Sequence, residues 1–362
     1  MLTRRAVLCA GGAGIVTSLA GCGEATDMTS YEKAVRRLRE PLPGHAGLAD
    51  CVRYATLAAS GHNTQPWRFA LGVRTVEILP DVARRTPVVD PDDHHLWASL
   101  GCAAENFLIA ARAVSLHGDV RVDTEDEGRL ILALERGPAG TDDLFEAVPR
   151  RQCTRSDYDG RPVAAADLKS MEEAARVDGV RIVYLLDKPR IATALDHVVA
   201  GNTAQMEDPA FVEELKHWLR FNEGSALETR DGLYSASSGN PTLPDWLASM
   251  LFPLVFRTSS ENDKYARQIR SSSGIAVFVS AKDDREHWVK AGRAYQRFAL
   301  KATALGIAQA FVNQPVEVAA LRSGFAQWLG LEAGERPDLV VRFGHAPPLP
   351  MSLRRPVDGL VI

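Results

Sequence analysis

The chain has 362 residues, 46% of them hydrophobic and 24% charged, which is the balance of a globular protein. A formal net charge of −4 argues against a nucleic-acid role resting on bulk electrostatics. Of its 5 cysteines, Cys9 and Cys22 sit near the start, and Cys51, Cys102 and Cys153 form no C-x-x-C pair, so neither a disulfide framework nor a zinc site is expected.

The first segment reads "MLTRRAVLCAGGAGIVTSLAGC". Arg4 and Arg5 form a twin-arginine n-region, and Ala6 to Ala20 form an apolar stretch too short to span a bilayer. Leu19-Ala20-Gly21-Cys22 then matches the box read by lipoprotein signal peptidase. A thioether-linked diacylglycerol on Cys22 plus an amide-linked chain would give the multi-chain anchoring that one acyl group cannot. Residues 1–22 are therefore expected to be a twin-arginine, lipoprotein-type signal peptide. The expected product is extracytoplasmic and touches the cell membrane only through its lipid anchor. An ordinary cleaved signal with an incidental cysteine is the alternative. No later segment reaches membrane-spanning length.

Residues 23–45 read as a linker and an N-terminal helix. Helices are expected at Tyr31–Arg39, Leu48–Ala59, Leu96–Leu116, Ala164–Ala175, Lys188–Gln205, Ala210–Asn222, Arg285–Ala304 and Val316–Gly330. Strands are expected at Trp67–Leu71, Thr75–Leu79, Arg129–Leu134, Val180–Leu186, Ile275–Ser280 and Leu339–Phe343. In the helix from Ala210, the stripe Phe211, Leu215, Trp218 and Leu219 reads as core. Thr229 to Pro253, rich in Gly, Ser and Pro, resists regular structure and reads as a lid over a pocket.

Trp97-x3-Gly101-x-Ala103-x3-Phe107 recurs at one constant offset as Trp288-x3-Gly292-x-Ala294-x3-Phe298. Each copy lies in an Ala-rich helical stretch whose small residues would let two such helices approach closely. Each is followed by a β-rich run. The layering is mixed α+β, with helices flanking sheets.

The stretch "SGHNTQPWRF", Ser60 to Phe69, packs small, amide and aromatic residues ahead of a strand. It resembles the FMN-dependent nitroreductase family, whose signature is a Ser/Gly-rich turn, Asn-x-Gln-Pro-Trp and a strand. A second family signature, an Arg-rich turn, appears at Arg150-Arg151-Gln152-Cys153-Thr154-Arg155. Ordinary members carry the Arg turn first and are homodimers in which each flavin touches the Arg turn of one subunit and the amide turn of the other. Here the order is inverted, and each half keeps what the other lacks. The pattern resembles the Acg-type branch, a fused and duplicated form. The resemblance implies a single-chain pseudo-dimer with mixed or antiparallel sheets, its halves at 46–145 and 146–362, the second carrying the lid at 229–253.

The resemblance further implies FMN. Arg151 and Arg155, assisted by Arg150 or Gln152, would neutralise its phosphate, since guanidinium forks suit phosphate better than point charges. Cys153 stands where the family has Ser or Thr. Ser60, Gly61 and Asn63 would meet the isoalloxazine and ribityl, with Gln65 supporting the turn. Arg354 or Arg355 of the C-terminal "MSLRRPVDGL" would reach the phosphate, and Phe311, Asn313 and Gln314 would face the ring.

No catalytic acid or base is assigned. The acceptor would be nitroaromatic or quinone-like. Relatives take electrons from NAD(P)H, but outside the cytoplasm no such pool exists, so membrane quinols or another reductase would have to serve. The alternatives are a flavin-sequestering protein whose lid closes the site, and a decayed site that binds a partner. Asp90-Pro91-Asp92-Asp93-His94-His95 has metal-ligand residue types, but adjacent histidines do not share a helix face, and acids ahead of a helix are ordinary caps. No metal is expected.

Overall fold

The computed structural model describes residues 28–362, so the expected signal segment and Cys22 lie outside the described residues. Two four-stranded sheets are built by one repeated sequence of elements. In the first, β1 (Trp67–Leu71) and β2 (Thr75–Pro80) precede the helix His94–Ala113, and β3 (Leu116–Asp123) and β4 (Arg129–Arg136) follow it, in the spatial order β1-β2-β4-β3. The second sheet opens with β5 (Val180–Leu185). The chain then makes an excursion over residues 186–273 that includes a small parallel pair, β6 (Leu219–Arg220) and β7 (Leu233–Tyr234). It returns as β8 (Gly274–Ser280), the helix Arg285–Ala304, β9 (Ala308–Phe311) and β10 (Arg336–Gly344), ordered β5-β8-β10-β9. Every pairing within both larger sheets is antiparallel. The connections differ: the first hairpin is a short turn in one and the long insertion in the other, and the last is a short turn after β3 but carries the helices Gln314–Glu317 and Ala319–Leu329 after β9.

The strands follow from burial. In β1 and β4 alternate residues face inward, Trp67 and Phe69 in one and Leu130, Leu132 and Leu134 in the other. Strands β8 and β10 are buried on both faces, which explains the apolar run of β8, while β10 buries Arg336, Asp338 and Arg342 alongside Leu339, Val340, Val341 and Phe343. Ala276 and Phe278 pack toward the Trp288 helix, while Ile275, Val277 and Val279 pack toward the insertion.

The two Trp-bearing helices cross at their glycines. A Cβ on Gly101 would collide with the carbonyl of Val289, and one on Gly292 with that of Ala98. Ala98 and Val289 are related by the same offset as Gly101 and Gly292, so the contact is reciprocal, as at a two-fold axis. One core cluster runs from Cys51 to Leu360 and draws on both sheets. At its far end the tail returns to the first sheet. Phe69 N donates to Leu360 O at 2.8 Å and Ile362 N to Phe69 O at 2.9 Å, so the last residues line the free edge of β1.

Several expectations need correction. Thr229 to Pro253 is not irregular throughout: it holds β7, a 3-10 turn at Ala236–Ser238 and most of the helix Asp245–Val255. Asn222 organises it, accepting from Ser225 N at 3.0 Å and donating to Leu243 O at 3.2 Å and Asp245 Oδ1 at 3.0 Å. The helix expected to run to Asn222 stops at Trp218, because Leu219 turns extended to pair with β7. The helix expected over Val316–Gly330 is two, Gln314–Glu317 and Ala319–Leu329, broken at Val318 with ψ 101. Strand β3 and the helices Glu223–Thr229 and Thr258–Arg270 were not anticipated. Among the described residues no helix is long and apolar enough to cross a membrane.

Candidate functional site: a carboxylate-free arginine cluster beside a larger cavity

Directly after the helix Leu48–Thr56, buried Leu57, Ala58 and Ala59 lead into the turn at Ser60. His62, Asn63 and Gln65 all adopt left-handed backbone, with φ of 46°, 54° and 55°. Such a run in non-glycine residues is costly and persists only where its surroundings over-determine it. Gln65 does much of this. It is fully buried, its Nε2 donates to Arg230 O at 2.9 Å, its Oε1 accepts from Arg355 N at 2.8 Å, and its backbone N donates to Ser60 Oγ at 3.2 Å. Asn63 Nδ2 donates to Gly232 O at 3.0 Å and Leu353 O at 3.3 Å. The turn is therefore clamped between the insertion and the C-terminal segment.

The Arg turn follows the short helix Asp143–Ala147. Thr154 N donates to Gln309 O at 2.9 Å, and Gln309 Nε2 donates to Gln152 O at 3.0 Å, so the turn is held by β9. Arg342 adds support by donating to Ser156 O at 2.9 Å.

These two turns meet at a pair of adjoining cavities. The smaller, about 50 Å³, is lined by Arg39, Arg151, Arg155 and Arg354 together with Ser60, Asn63, Gln152, Cys153 and Ser237, and by no carboxylate. None of the four arginines forms a salt bridge among the described residues. Arg151 Nη2 donates to Leu57 O at 3.1 Å, Arg39 Nη1 to Pro149 O at 2.9 Å, and Arg354 Nε and Nη2 to Thr56 O at 2.8 Å and Ala58 O at 3.2 Å. The Nε atoms of Arg39 and Arg151 are buried without a hydrogen-bond partner. Burial first, and the neighbouring guanidiniums second, push Arg354 well below its ordinary pKa; the same causes push Arg39 down to about 10. A guanidinium does not give up its proton in a protein, so these directions reflect the cost of burying the guanidiniums close together, which a bound anion would offset. Burial raises the Cys153 thiol, but Arg151 and Arg155 outweigh it and hold the thiol below its ordinary range.

The larger cavity, about 210 Å³, shares Ala59, Ser60, Arg155 and Phe311 with the smaller one. Gly61, His62, Asn313 and Gln314 line it, and Phe311 leans on Tyr295 with ring centroids 4.4 Å apart. His95 bridges Asn313 Nδ2 at 3.2 Å and Asp90 Oδ1 at 3.4 Å. Burial, then Arg155 and His95, push His62 down to about 4. Phe211, Leu215 and Leu219 line this cavity, so much of the stripe expected to be core forms its wall.

Two expected phosphate contacts are not brought to the cavities. Arg150 is exposed, its Nε donating to Glu146 O at 3.1 Å, because the chain leaves the preceding helix with that side chain outward. Arg355 points away to Asp81 Oδ2 at 3.1 Å and Gln65 O at 3.1 Å, tying down the amide turn. Of the two C-terminal arginines, Arg354 faces the site. Gln65 supports from behind and lines neither cavity. Arg39 was missed: in "VRRLRE" only its place at the C-cap of the first helix distinguishes it from Arg36 and Arg37. Asp90, His94 and His95 do come together, but Asp90 accepts from His95 N and Leu96 N, each at 2.9 Å, which is the capping role of an acid ahead of a helix.

Residues 148–345, more than half of the chain, match the nitroreductase family model. The chain belongs to the nitroreductase family. Over 328 residues it is 29% identical to a Mycobacterium tuberculosis (strain H37Rv) protein named as a "putative NAD(P)H nitroreductase", with 85% of this chain and 88% of that one covered. A second protein of that organism, of the same description and called acg, is 24% identical over 324 residues, covering 86% and 94%. Among solved family structures, the FMN and NADPH-dependent nitroreductase NfnB from a Sphingopyxis-type strain ("sphigopyxis sp. strain HMH") is 17% identical with a TM-score of 0.42, covering 60% of this chain and 97% of that one. The family expected from the amide turn and the Arg turn is thus borne out, together with its Acg-like relatives.

Proposed function

We propose that this chain is an FMN-dependent oxidoreductase of the nitroreductase type that holds one flavin between its two halves and reduces a small nitroaromatic or quinone-like acceptor. The observation that carries the proposal is the carboxylate-free cluster of Arg39, Arg151, Arg155 and Arg354 beside a larger cavity. The donor set fits a phosphomonoester: buried guanidinium nitrogens without partners, with Ser60 and Ser237 alongside. When bound, the flavin supplies the two-electron redox chemistry. The chain's own residues bind and orient. Arg39, Arg151, Arg155 and Arg354 would take the phosphate, Ser60 would stand between the cavities with Asn63 on the smaller one, and Phe311, Asn313 and Gln314 would border the ring and acceptor space.

The identical strand order in both sheets and the reciprocal glycine contact support a fused pseudo-dimer derived by duplication. One half contributes the amide turn and the other the Arg turn, which gives one site and not two. Relatives named for NAD(P)H make a nicotinamide the first donor to test. The twin-arginine and Cys22 motifs support export and lipid anchoring, and with them a quinol donor.

A second reading, flavin sequestration, is favoured by the insertion. It sets Ser237 against the smaller cavity and Leu233, Ser238 and Asn240 against the larger. The test is the absorption spectrum of the purified chain with mass analysis of what denaturation releases, followed by turnover with NADPH or a quinol and a nitroaromatic acceptor. Stoichiometric FMN with turnover supports the enzyme. FMN without turnover supports sequestration. A colourless chain that refuses added FMN overturns both.

A further inference from the structure

The helix Asp245–Val255 exposes large apolar side chains at Trp246, Met250 and Leu254, which are 71%, 60% and 59% accessible. Positions i, i+4 and i+8 lie on one helical face, so these form a stripe. The other exposed large hydrophobics of the described residues are scattered singly. The opposite side of the helix is occupied. Phe252 meets Phe221 at a centroid distance of 6.4 Å and Phe256 at 4.7 Å, and Ala248 is buried.

Two observations say what covers the stripe. The N-terminal helix Ser30–Leu38 packs on the insertion: Tyr31 meets Tyr234 at 4.8 Å, in a cluster with Ala226 and Leu353. Asn222, which caps the helix beginning at Glu223, also holds Asp245 at the start of the striped helix. The start of the described chain and the stripe therefore belong to one subassembly. Cys22 precedes Met28 by a handful of residues, and an extended chain reaches only about 3.5 Å per residue. The second observation is chemical: exposed Arg257 follows the helix and forms no salt bridge among the described residues, a cation placed for anionic headgroups.

We propose that the Trp246–Met250–Leu254 stripe docks on the headgroup–acyl boundary of a lipid bilayer. This rests on the proposed export and anchoring at Cys22. Docking turns the insertion toward the membrane and brings Phe256, which borders the larger cavity, close to the lipid phase where apolar quinols reside.

The test uses the full chain, acylated and as Cys22→Ser, mixed with vesicles of phosphatidylcholine and phosphatidylglycerol in which one lipid carries a brominated acyl chain that quenches tryptophan. Quenching that Trp246→Phe removes, and that Met250→Ser/Leu254→Ser, which keeps the tryptophan, reduces at least ten-fold, supports docking in either form of the chain. No Trp246-dependent quenching overturns it, whether or not the chain is vesicle-bound. A concentration-dependent dimer that Met250→Ser/Leu254→Ser abolishes, without quenching, overturns it in favour of a second copy. Mass analysis of the acyl group separately decides the Cys22 assignment, because quenching in the Cys22→Ser chain does not depend on it.

Discussion

Arg39, Arg151 and Arg354 are held by backbone carbonyls and share the smaller cavity with Arg155, so the four cations crowd one another until an anion arrives. Buried charge without a counter-charge is costly, and apolar replacement of such groups is often neutral or stabilising. Arg39→Met is accordingly expected to leave the melting temperature of the FMN-free chain unchanged or raised. At about 1.5–3 kcal/mol for a charged hydrogen bond, it should weaken FMN binding by roughly ten- to a hundred-fold. Calorimetric melts with and without FMN separate the two effects. His62 gives a pH signature. Its folded pKa of about 4 lies below the unfolded value, so the unfolded chain takes up a proton first as pH falls below about 6.5. Stability from this residue is present above about pH 6.5 and lost as pH falls toward 4, at up to about 1.4 kcal/mol per pH unit. Urea unfolding from pH 7 to 4 should show a shallower slope for His62→Gln than for the parent; equal slopes would refute the assignment. At this scale the sequence was legible where polar residues sat oddly, as in the amide turn. It was silent where an ordinary residue gained its role from position: Arg39 among similar arginines, and Arg150 against Arg151, which differ only in the direction the chain leaves a helix.

At the scale of elements, the crossing of the two Trp-bearing helices is the joint between the sheets. Gly101→Ala and Gly292→Ala each force a Cβ against a backbone carbonyl that cannot rotate away, so each should cost about 1–3 kcal/mol. Because both clashes fall at one helix crossing, and one separation of the helices relieves both, the double variant should cost less than the sum. Denaturant midpoints of the three variants check this, and strict additivity would show that the contacts are independent. The repeat that marks these helices was readable because close packing demands small residues. Strand β3 was missed because the Ala-rich helix reads through to Leu116, although "LHGDVRVD" alternates apolar and polar residues and packs Leu116, Val120 and Val122 on the core from a sheet edge. The insertion misled through composition: its Gly, Ser and Pro read as loop, whereas a single asparagine cap and Asp231, paired with both Arg84 and Arg220, give it order.

Across the whole molecule, the first sheet has no core apart from the second, since one apolar cluster runs through both, while the second sheet adds a cluster of its own against the insertion. The closing tail adds to this by pairing Leu360 and Ile362 with Phe69 on the edge of β1. Truncation after Arg355 should therefore lower the melting temperature of the entire chain in a single transition, and two separated transitions in a differential scan would contradict the shared core. The anion cluster carries the same dependence between distant segments. Arg39 comes from the first described helix, Arg151 and Arg155 from the Arg turn and Arg354 from a segment some two hundred residues further on, so the cluster exists only when all three have docked. Anion capture at this cluster would therefore report that the fold is assembled from end to end of the described chain.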